Sequence, residues 1–345
     1  MTIGYLVNNL RSGGAEKFVK ELSNEVSKHY NVVVILLNDN CNAYTIDESD
    51  TLEVVTLIGK GLLTKYFSLK KVLLKYDVNI LHVNLFPSSY LAAYVPRHIK
   101  LIYTEHSLWN KRRRLLYKPL EILIYSRYAE IGCVSNNAKE SLLRHIGHNF
   151  KSKVCTVYNG KDSDIVKANY INNDSKWHII LIGRLEAPKD QLTVLKSLLP
   201  IKDKVHIDVF GVGVMLSVLK EFAFKNNLNI SFHGFIEDID SVKFNERSIG
   251  ILSSNKEGFG LSLLDTMSRD IVTIGSDIGG IREVLDNNEL LFPVADVSRL
   301  TTLILNLIEN PHHYTIMRDY CKNRATKFSF RDTVVNYLSI YNKHI

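Results

Sequence analysis

The sequence predicts an α/β protein built from two doubly wound domains facing a cleft, and three observations carry that expectation. Short β-branched runs alternate with segments of helical period along the chain, the pattern of parallel sheets covered by helices on both faces. The alternation breaks once, in a polar seam at residues 160–176, and then restarts. The 345 residues allow two domains of roughly 100–200 residues, each with its own core.

In order, Thr2–Val7 reads as a strand followed by a Gly pair. Ala15, Phe18, Val19, Leu22 and Val26 recur at helical spacing, and Asn31–Leu37 is the next strand. Further strands are expected at Asn79–Val83, Lys100–Tyr103, Glu130–Val134 and Val154–Val157. Beyond the seam they follow at His178–Ile182, Val205–Phe210, Asn229–Phe232, Gly250–Leu252, Ile271–Ile274 and Leu290–Phe292. No low-complexity tract or internal repeat interrupts the series.

Composition removes several classes. No apolar run reaches the ~18 residues of a membrane span, and the first residues lack the layout of a secretory signal. Cys41, Cys133, Cys155 and Cys321 form no CxxC pair, which argues against a zinc ribbon or disulfide framework and for a reducing cytosol. The net charge of +7 is uneven: residues 1–170 hold 23 Lys+Arg against 15 Asp+Glu, and the rest hold 20 against 21. One half therefore faces an anionic partner: nucleic acid, an anionic lipid surface or an acidic substrate.

Open α/β sheets bind ligands beyond the carboxyl ends of their strands, which selects four segments. Arg11-Ser12-Gly13-Gly14-Ala15-Glu16 follows strand 1, and paired glycines let backbone N–H groups approach an anion; a tight turn that binds nothing is the plain alternative. Thr104-Glu105-His106-Ser107 ends a strand and sets an imidazole that titrates near neutrality at its tip. His82, His178 and His233, in or beside apolar runs, read more simply as core-edge residues.

Gly183-Arg184-Leu185-Glu186-Ala187-Pro188-Lys189-Asp190 places two cations across a turn that opens a helix, a cradle suited to a diphosphate. Two solvated surface charges are the alternative. Glu257-Gly258-Phe259-Gly260-Leu261-Ser262-Leu263-Leu264-Asp265 is the strongest signal. Its glycines open a helix, and Glu257 and Asp265 would stand ~12 Å apart if helical throughout. So spaced, they can hold hydroxyls at opposite ends of a polyol-rich ligand but cannot share one metal ion. Alternatively, Glu257 only caps the helix and Asp265 is solvated.

Together these segments resemble the retaining family 4 glycosyltransferases of GT-B type. Val134–Leu142, Tyr158–Asp162, Phe210–Met215, Ser276–Val284 and Phe328–Asp332 extend the resemblance in order over essentially the whole chain. It implies an acceptor-binding Rossmann-like domain at 1–160, a nucleotide-sugar-binding one at 161–327, and a helix at 328–345 crossing back to the first. Arg184 and Lys189 would neutralise the donor diphosphate as a leaving group, and Glu257 would hold hydroxyls of the transferred sugar. Backbone N–H groups of Gly258, Phe259, Gly260 and Leu261 would meet sugar and phosphate, and Asp265 the ribose. His106 would face the sugar near the reacting carbon, and Gly13 and Gly14 the diphosphate. Ile236 would meet the base through its backbone. The resemblance implies no cofactor and no metal, and the sequence has no DxD directly after a strand and no His/Asp/Glu cluster at ligand spacing. The chain departs from the family pattern at Asp265, where Glu is usual, and at Asp270 and Val272, which replace Gly and Pro. The last two leave the geometry of that turn open.

Residues 55–155 hold 17 Lys+Arg against five acids. Within them, Trp109 precedes the run Lys111-Arg112-Arg113-Arg114, a mixture suited to an anionic bilayer surface; a solvated helix face is the alternative. Trp109–Lys118 and Lys65–Lys75 are expected to meet the inner face of the cytoplasmic membrane. The acceptor there would be an undecaprenyl-diphosphate-linked glycan of a bacterial surface polysaccharide. Nucleic acid is not expected as a partner, because the cations fit no RRM, KH or helix-turn-helix pattern. A nucleotide-sugar 2-epimerase of the same architecture and a nucleotide-sugar-binding pseudoenzyme are the other readings.

Overall fold

The computed structural model describes residues 1–11, 13–38, 43–108, 113, 115–161 and 175–345. The chain divides into two compact units, Met1–Asn159 with Asp332–Ile345, and Gly160–Arg331.

Unit 1 runs β1 (Thr2–Val7), α1 (Gly14–Val26), β2 (Asn31–Leu36), β3 (Leu52–Thr56), α2 (Leu62–Lys75), β4 (Val78–Asn84), α3 (Ser88–Ala92), β5 (Lys100–Glu105), α4 (Lys118–Ser126), β6 (Glu130–Cys133), α5 (Asn136–Ile146) and β7 (Val154–Thr156). Its parallel sheet has the order β3-β2-β1-β4-β5-β6-β7. β1 is buried at every residue, as a central strand covered on both faces must be. The expected strands are present, with one addition: β3 has Leu52 as its single buried residue. It pairs with one neighbour only, β2, so it lacks the continuous apolar run that marks the inner strands.

Unit 2 runs β8 (Trp177–Ile182), α6 (Gln191–Ser197), β9 (Val205–Phe210), α7 (Leu216–Lys225), β10 (Ile230–Gly234), β11 (Ser248–Leu252), α8 (Leu261–Met267), β12 (Val272–Ser276), α9 (Gly279–Leu285), β13 (Leu291–Phe292), α10 (Val297–Glu309) and α11 (Pro311–Ala325). Its sheet, also parallel, has the order β10-β9-β8-β11-β12-β13.

The last helix, α12 (Phe330–Asn342), carries the chain back into unit 1. It is fixed there by a chain of buried polar groups. Tyr341 Oη lies 2.9 Å from Tyr5 Oη and 2.6 Å from His82 Nδ1. His82 Nε2 lies 2.6 Å from Thr104 Oγ1, which is 2.7 Å from Tyr337 Oη. Gly132 makes room for the Tyr337 hydroxyl, which any Cβ at that position would strike. His82 is thus no core-edge residue but the fully buried centre of this network. Burial, with His106 adding to it, lowers its pKa to about 3.

Candidate active site

In unit 2 the strand order reverses between β8 and β11, and ligands bind past the carboxyl ends of strands at such a reversal. The two segments singled out in this half follow those two strands, and the fold brings them together. The Lys189 ammonium pairs with the Glu257 carboxylate, the side chains 20% and 18% exposed. The supporting contacts come from the loops themselves. Asn255 N–H donates to Pro188 O over 2.8 Å, and Ser253 Oγ lies 2.9 Å from the carbonyls of both Lys189 and Asp190. Ser254 Oγ is 3.4 Å from Glu257 Oε2.

Arg184 is the looser cation. Its side chain is 50% exposed and 3.3 Å from Glu186, while its backbone carbonyl accepts from Gln191 Nε2 at 3.0 Å. The turn after β9 clasps this loop: Leu185 N–H donates to Val212 O and Met215 N–H to Leu185 O, each over 2.9 Å. A Cβ on Gly211 or Gly213 would collide with the carbonyls of Gly183 or Leu185. Those glycines serve close backbone packing.

α8 begins only at Leu261, after Gly260 in the left-handed region (φ 102°). Glu257 therefore stands in a loop and neither caps the helix nor continues it, so the helical spacing expected between Glu257 and Asp265 does not hold. A Cβ on Gly280 would meet the carbonyls of Glu257 and Gly258, so the Ser276–Val284 segment backs the Glu257 loop. Phe259 is buried, edge-on to Phe328 at 5.3 Å.

Asp265 is buried, and Lys161 Nζ donates to its Oδ1 over 2.6 Å. Lys161 also lies 2.9 Å from Asp240 Oδ1, and Arg269 pairs with Asp240. Sequence reasoning missed Lys161, whose partner is 104 residues away. Asp270 adopts φ 59°, the left-handed conformation a glycine would take and one that Asp tolerates. Lys322 Nζ reaches its Oδ2 over 3.1 Å, so the departure from Gly preserves the turn. Ile236 packs its side chain on the cluster of Ile180, Phe210, Ile239, Phe244 and Ile271.

In unit 1 the reversal lies between β1 and β4. His106 Nε2 is 2.9 Å from Asn84 Oδ1 at the end of β4, and its ring stands edge-on to Phe18 of α1 at 5.2 Å. Burial lowers its pKa to about 4 against the upward pull of Glu105, so the imidazole is neutral at pH 7. Gly13 caps α1 in extended conformation, and a Cβ there would strike the Glu16 carboxylate. That acid lies in the first turn of α1, where helix N–H groups favour negative charge, so a diphosphate at Gly13 and Gly14 would meet Glu16 first.

Arg113 is a correction. Expected at a membrane surface, its side chain is 5% exposed, with Nη2 3.1 Å from Oε2 of Glu105, itself 2% exposed. It also donates to Ser141 Oγ at 2.6 Å and Ser107 O at 3.2 Å. A carboxylate buried at the end of β5 requires such a counter-ion, and the pair fixes the loop that bears His106. Trp109, Lys111, Arg112 and Arg114 lie outside the described residues. Lys65 turns inward to Leu37 O and Asn38 Oδ1, whereas Lys71 and Lys75 are exposed. Among the described residues, metal-ligating atoms come within mutual reach at His178, His206 and Asp208, which no sequence spacing revealed.

Two parallel doubly wound units, with charged loops at the strand ends, define the GT-B class of glycosyltransferase fold. Residues 12–165 match glycosyltransferase family 4 and residues 162–328 match glycosyl transferases group 1, and the chain belongs to the family 4 glycosyltransferases. It is 25% identical over 361 residues to the O-antigen biosynthesis glycosyltransferase WbnH of Escherichia coli, covering 99% of this chain and 98% of that protein. It is 22% identical over 338 residues to a Campylobacter jejuni protein, covering 91% and 90% of the two chains. That relative is the GalNAc-alpha-(1->4)-GalNAc-alpha-(1->3)-diNAcBac-PP-undecaprenol alpha-1,4-N-acetyl-D-galactosaminyltransferase. Among solved structures, Anabaena Alr3699/HepE in complex with UDP and glucose superposes with a TM-score of 0.81 at 16% identity, over 99% of each chain.

Proposed function

We propose that this glycosyltransferase moves a hexosyl unit, with retention at the anomeric carbon, from a nucleotide sugar to an undecaprenyl-diphosphate-linked glycan. Its place is the assembly of a bacterial surface polysaccharide. Unit 2 takes the donor and unit 1 the acceptor. The observation that carries this is the Lys189–Glu257 pair, held by loop-to-loop hydrogen bonds at the strand-order reversal of unit 2. The O-antigen role in the name of the E. coli relative, the lipid-linked acceptor in that of the Campylobacter relative and the UDP held by the Anabaena structure support it.

Without donor, Lys189 and Glu257 neutralise each other. With donor, the ammonium turns to the diphosphate and the carboxylate to the sugar hydroxyls, so neither charge is left unpaired. Arg184, half exposed and 3.3 Å from Glu186, gives up little by turning its planar fork to the same diphosphate. As the bond to the leaving group breaks, negative charge grows on the diphosphate and positive charge on the anomeric carbon. Fixed cations at the leaving group lower that barrier with no metal in the transfer step. Backbone N–H groups of Gly258–Leu261 add donors, Asp265 with its Lys161 partner takes the ribose, and the Ile236 backbone takes the base. His106, neutral, offers unit 1 a hydrogen-bonding imidazole at the end of β5 for a sugar hydroxyl.

No helix among the described residues is long and apolar enough to cross a membrane. The protein instead meets the anionic inner surface of the cytoplasmic membrane through α2, which exposes Leu62, Leu63, Phe67 and Leu74 beside Lys71 and Lys75. Co-sedimentation with vesicles should rise with anionic lipid content and fall in a Leu63→Ser/Phe67→Ser variant; indifference to both excludes this contact. The central test is thermal-shift screening with UDP-, GDP- and ADP-sugars. One donor class should stabilise the wild type by mass action and Glu257→Ala much less. A transition unmoved by every nucleotide sugar overturns the assignment.

A further inference from the structure

A parallel sheet covered on both faces ordinarily presents apolar side chains. One face of the unit 2 sheet departs from this. His178 on β8 pairs in register with His206 on β9, and Asp208, two residues on from His206, points to the same side. On β10 the register shifts between Phe232 and Gly234, bringing His233 alongside. The four side chains meet at one carboxylate. His178 Nδ1 is 2.7 Å from Asp208 Oδ2, His233 Nε2 is 2.8 Å from Oδ1, and His206 Nε2 is 3.4 Å from Oδ1. His206 Nε2 is also 3.0 Å from Ser231 Oγ. The ligand atoms of His178, His206 and Asp208 all lie within 4.8 Å of one another.

We propose that these residues form a binding site for a divalent transition-metal ion, with His178 Nδ1, His206 Nε2, an Asp208 oxygen and His233 Nε2 as its four ligands. Imidazole-rich donor sets of this kind suit zinc and its neighbours and do not suit Mg2+ or Ca2+. A tetrahedral zinc with ligands at ~2.0–2.2 Å holds them roughly 3.3 Å apart. The contacts to Asp208, at 2.7, 2.8 and 3.4 Å, need to open by about half an ångström at most, while the imidazoles must close on the ion, His233 the most, since it stands outside the group lying within 4.8 Å. The ligands sit on three paired strands, and the His233 ring stacks on Phe210 at 4.4 Å and 10°, so little ordering is left to do on binding.

Four protein ligands leave no open position, the signature of a structural site and not a catalytic one. The ion would clamp β8, β9 and β10, whose ends carry the Gly183, Gly211 and Gly234 turns. His178 Nε2 is buried without a hydrogen-bond partner, so the site lacks one outer contact that metal-bound histidines usually make. An affinity on the order of micromolar follows, below that of a zinc finger.

The test uses the untagged full chain, stripped with EDTA and titrated with Co2+ and then Zn2+. One equivalent of Co2+ should give the visible spectrum of a four-coordinate ion, displaced by one equivalent of Zn2+. His206→Gln and Asp208→Asn should each weaken Zn2+ binding more than tenfold with unchanged circular dichroism, and His312→Gln should leave it intact. His233→Gln, at the most exposed of the four ligands, is the substitution least able to disturb folding, and its affinity must fall as well. Equal Zn2+ affinity in wild type and His233→Gln, or a six-coordinate Co2+ spectrum, overturns the site.

Discussion

Each unit places a cation–carboxylate pair at the carboxyl ends of its strands, and the two pairs differ in burial and in the number of their partners. Glu105 and Arg113 in unit 1 are almost wholly buried, at 2% and 5% exposure. Glu105 accepts further hydrogen bonds from Tyr125 Oη at 3.1 Å, Ser107 Oγ at 2.9 Å and Ser107 N–H at 3.1 Å. Lys189 and Glu257 in unit 2 remain about one fifth exposed, with Ser254 Oγ beside the carboxylate at 3.4 Å. Both pair a cation with a glutamate, a guanidinium in unit 1 and an ammonium in unit 2. Burial and the number of competing partners decide whether a pair is part of the scaffold or is free to be redirected by a ligand.

The comparison breaks first in unit 1. Arg113→Ala strands a buried carboxylate and should cost about 3–5 kcal/mol of stability, read by denaturant unfolding; adding Glu105→Gln should recover part of the loss. In unit 2 the effect should move from folding to turnover. Glu257→Gln and Lys189→Met should lower transfer about 10²–10³-fold while shifting stability by less than about 1 kcal/mol, compared on one preparation by product assay and unfolding. If turnover is lost only as far as folding is, the distinction between the two pairs fails.

A third measurement sharpens the contrast through pH. Unfolded His82 takes up a proton below its ordinary value of 6.5, whereas folded His82 does so only near 3. Its contribution to stability is therefore present above pH 6.5 and lost as pH falls through that window. The slope should approach about 1.4 kcal/mol per pH unit from His82 and as much again from His106, whose pKa is lowered to about 4, measured by denaturant unfolding between pH 7 and pH 5. The smallest effect belongs to Asp270→Gly. Glycine takes φ 59° without strain, but the bond from Lys322 is lost and backbone freedom is gained. The net destabilisation should stay under about 1 kcal/mol, visible as a small shift in melting temperature.

Much of this was legible in the sequence because strands and loops are local. Continuous runs such as Ile3–Val7 and Val32–Leu36 announce inner strands, and the loop motifs announce themselves by glycine and charge. β3 escaped because an edge strand needs only Leu52 buried. Arg113 was misplaced because a basic run looks the same whether its members face solvent or, as here, one turns in to neutralise Glu105. Lys161 and the His178, His206 and His233 grouping were invisible for a third reason: strand pairing and chain reversal create those contacts, and no spacing along the chain encodes them. Asp270 looked like damage to a motif until its backbone angle showed that the conformation, and not the residue type, is what the turn requires.

The anchoring of α12 has a consequence for synthesis on the ribosome. His82 Nε2 and Thr104 Oγ1 can meet within the first sheet, but Tyr5 Oη, His82 Nδ1 and the Thr104 hydroxyl reach their tyrosine partners only when Tyr337 and Tyr341 have left the exit tunnel. At ~5–20 residues per second, the whole of unit 2 is made while the first sheet still holds an open polar seam. The earlier-made half is therefore completed last, because its closing helix follows the whole of unit 2 in the chain.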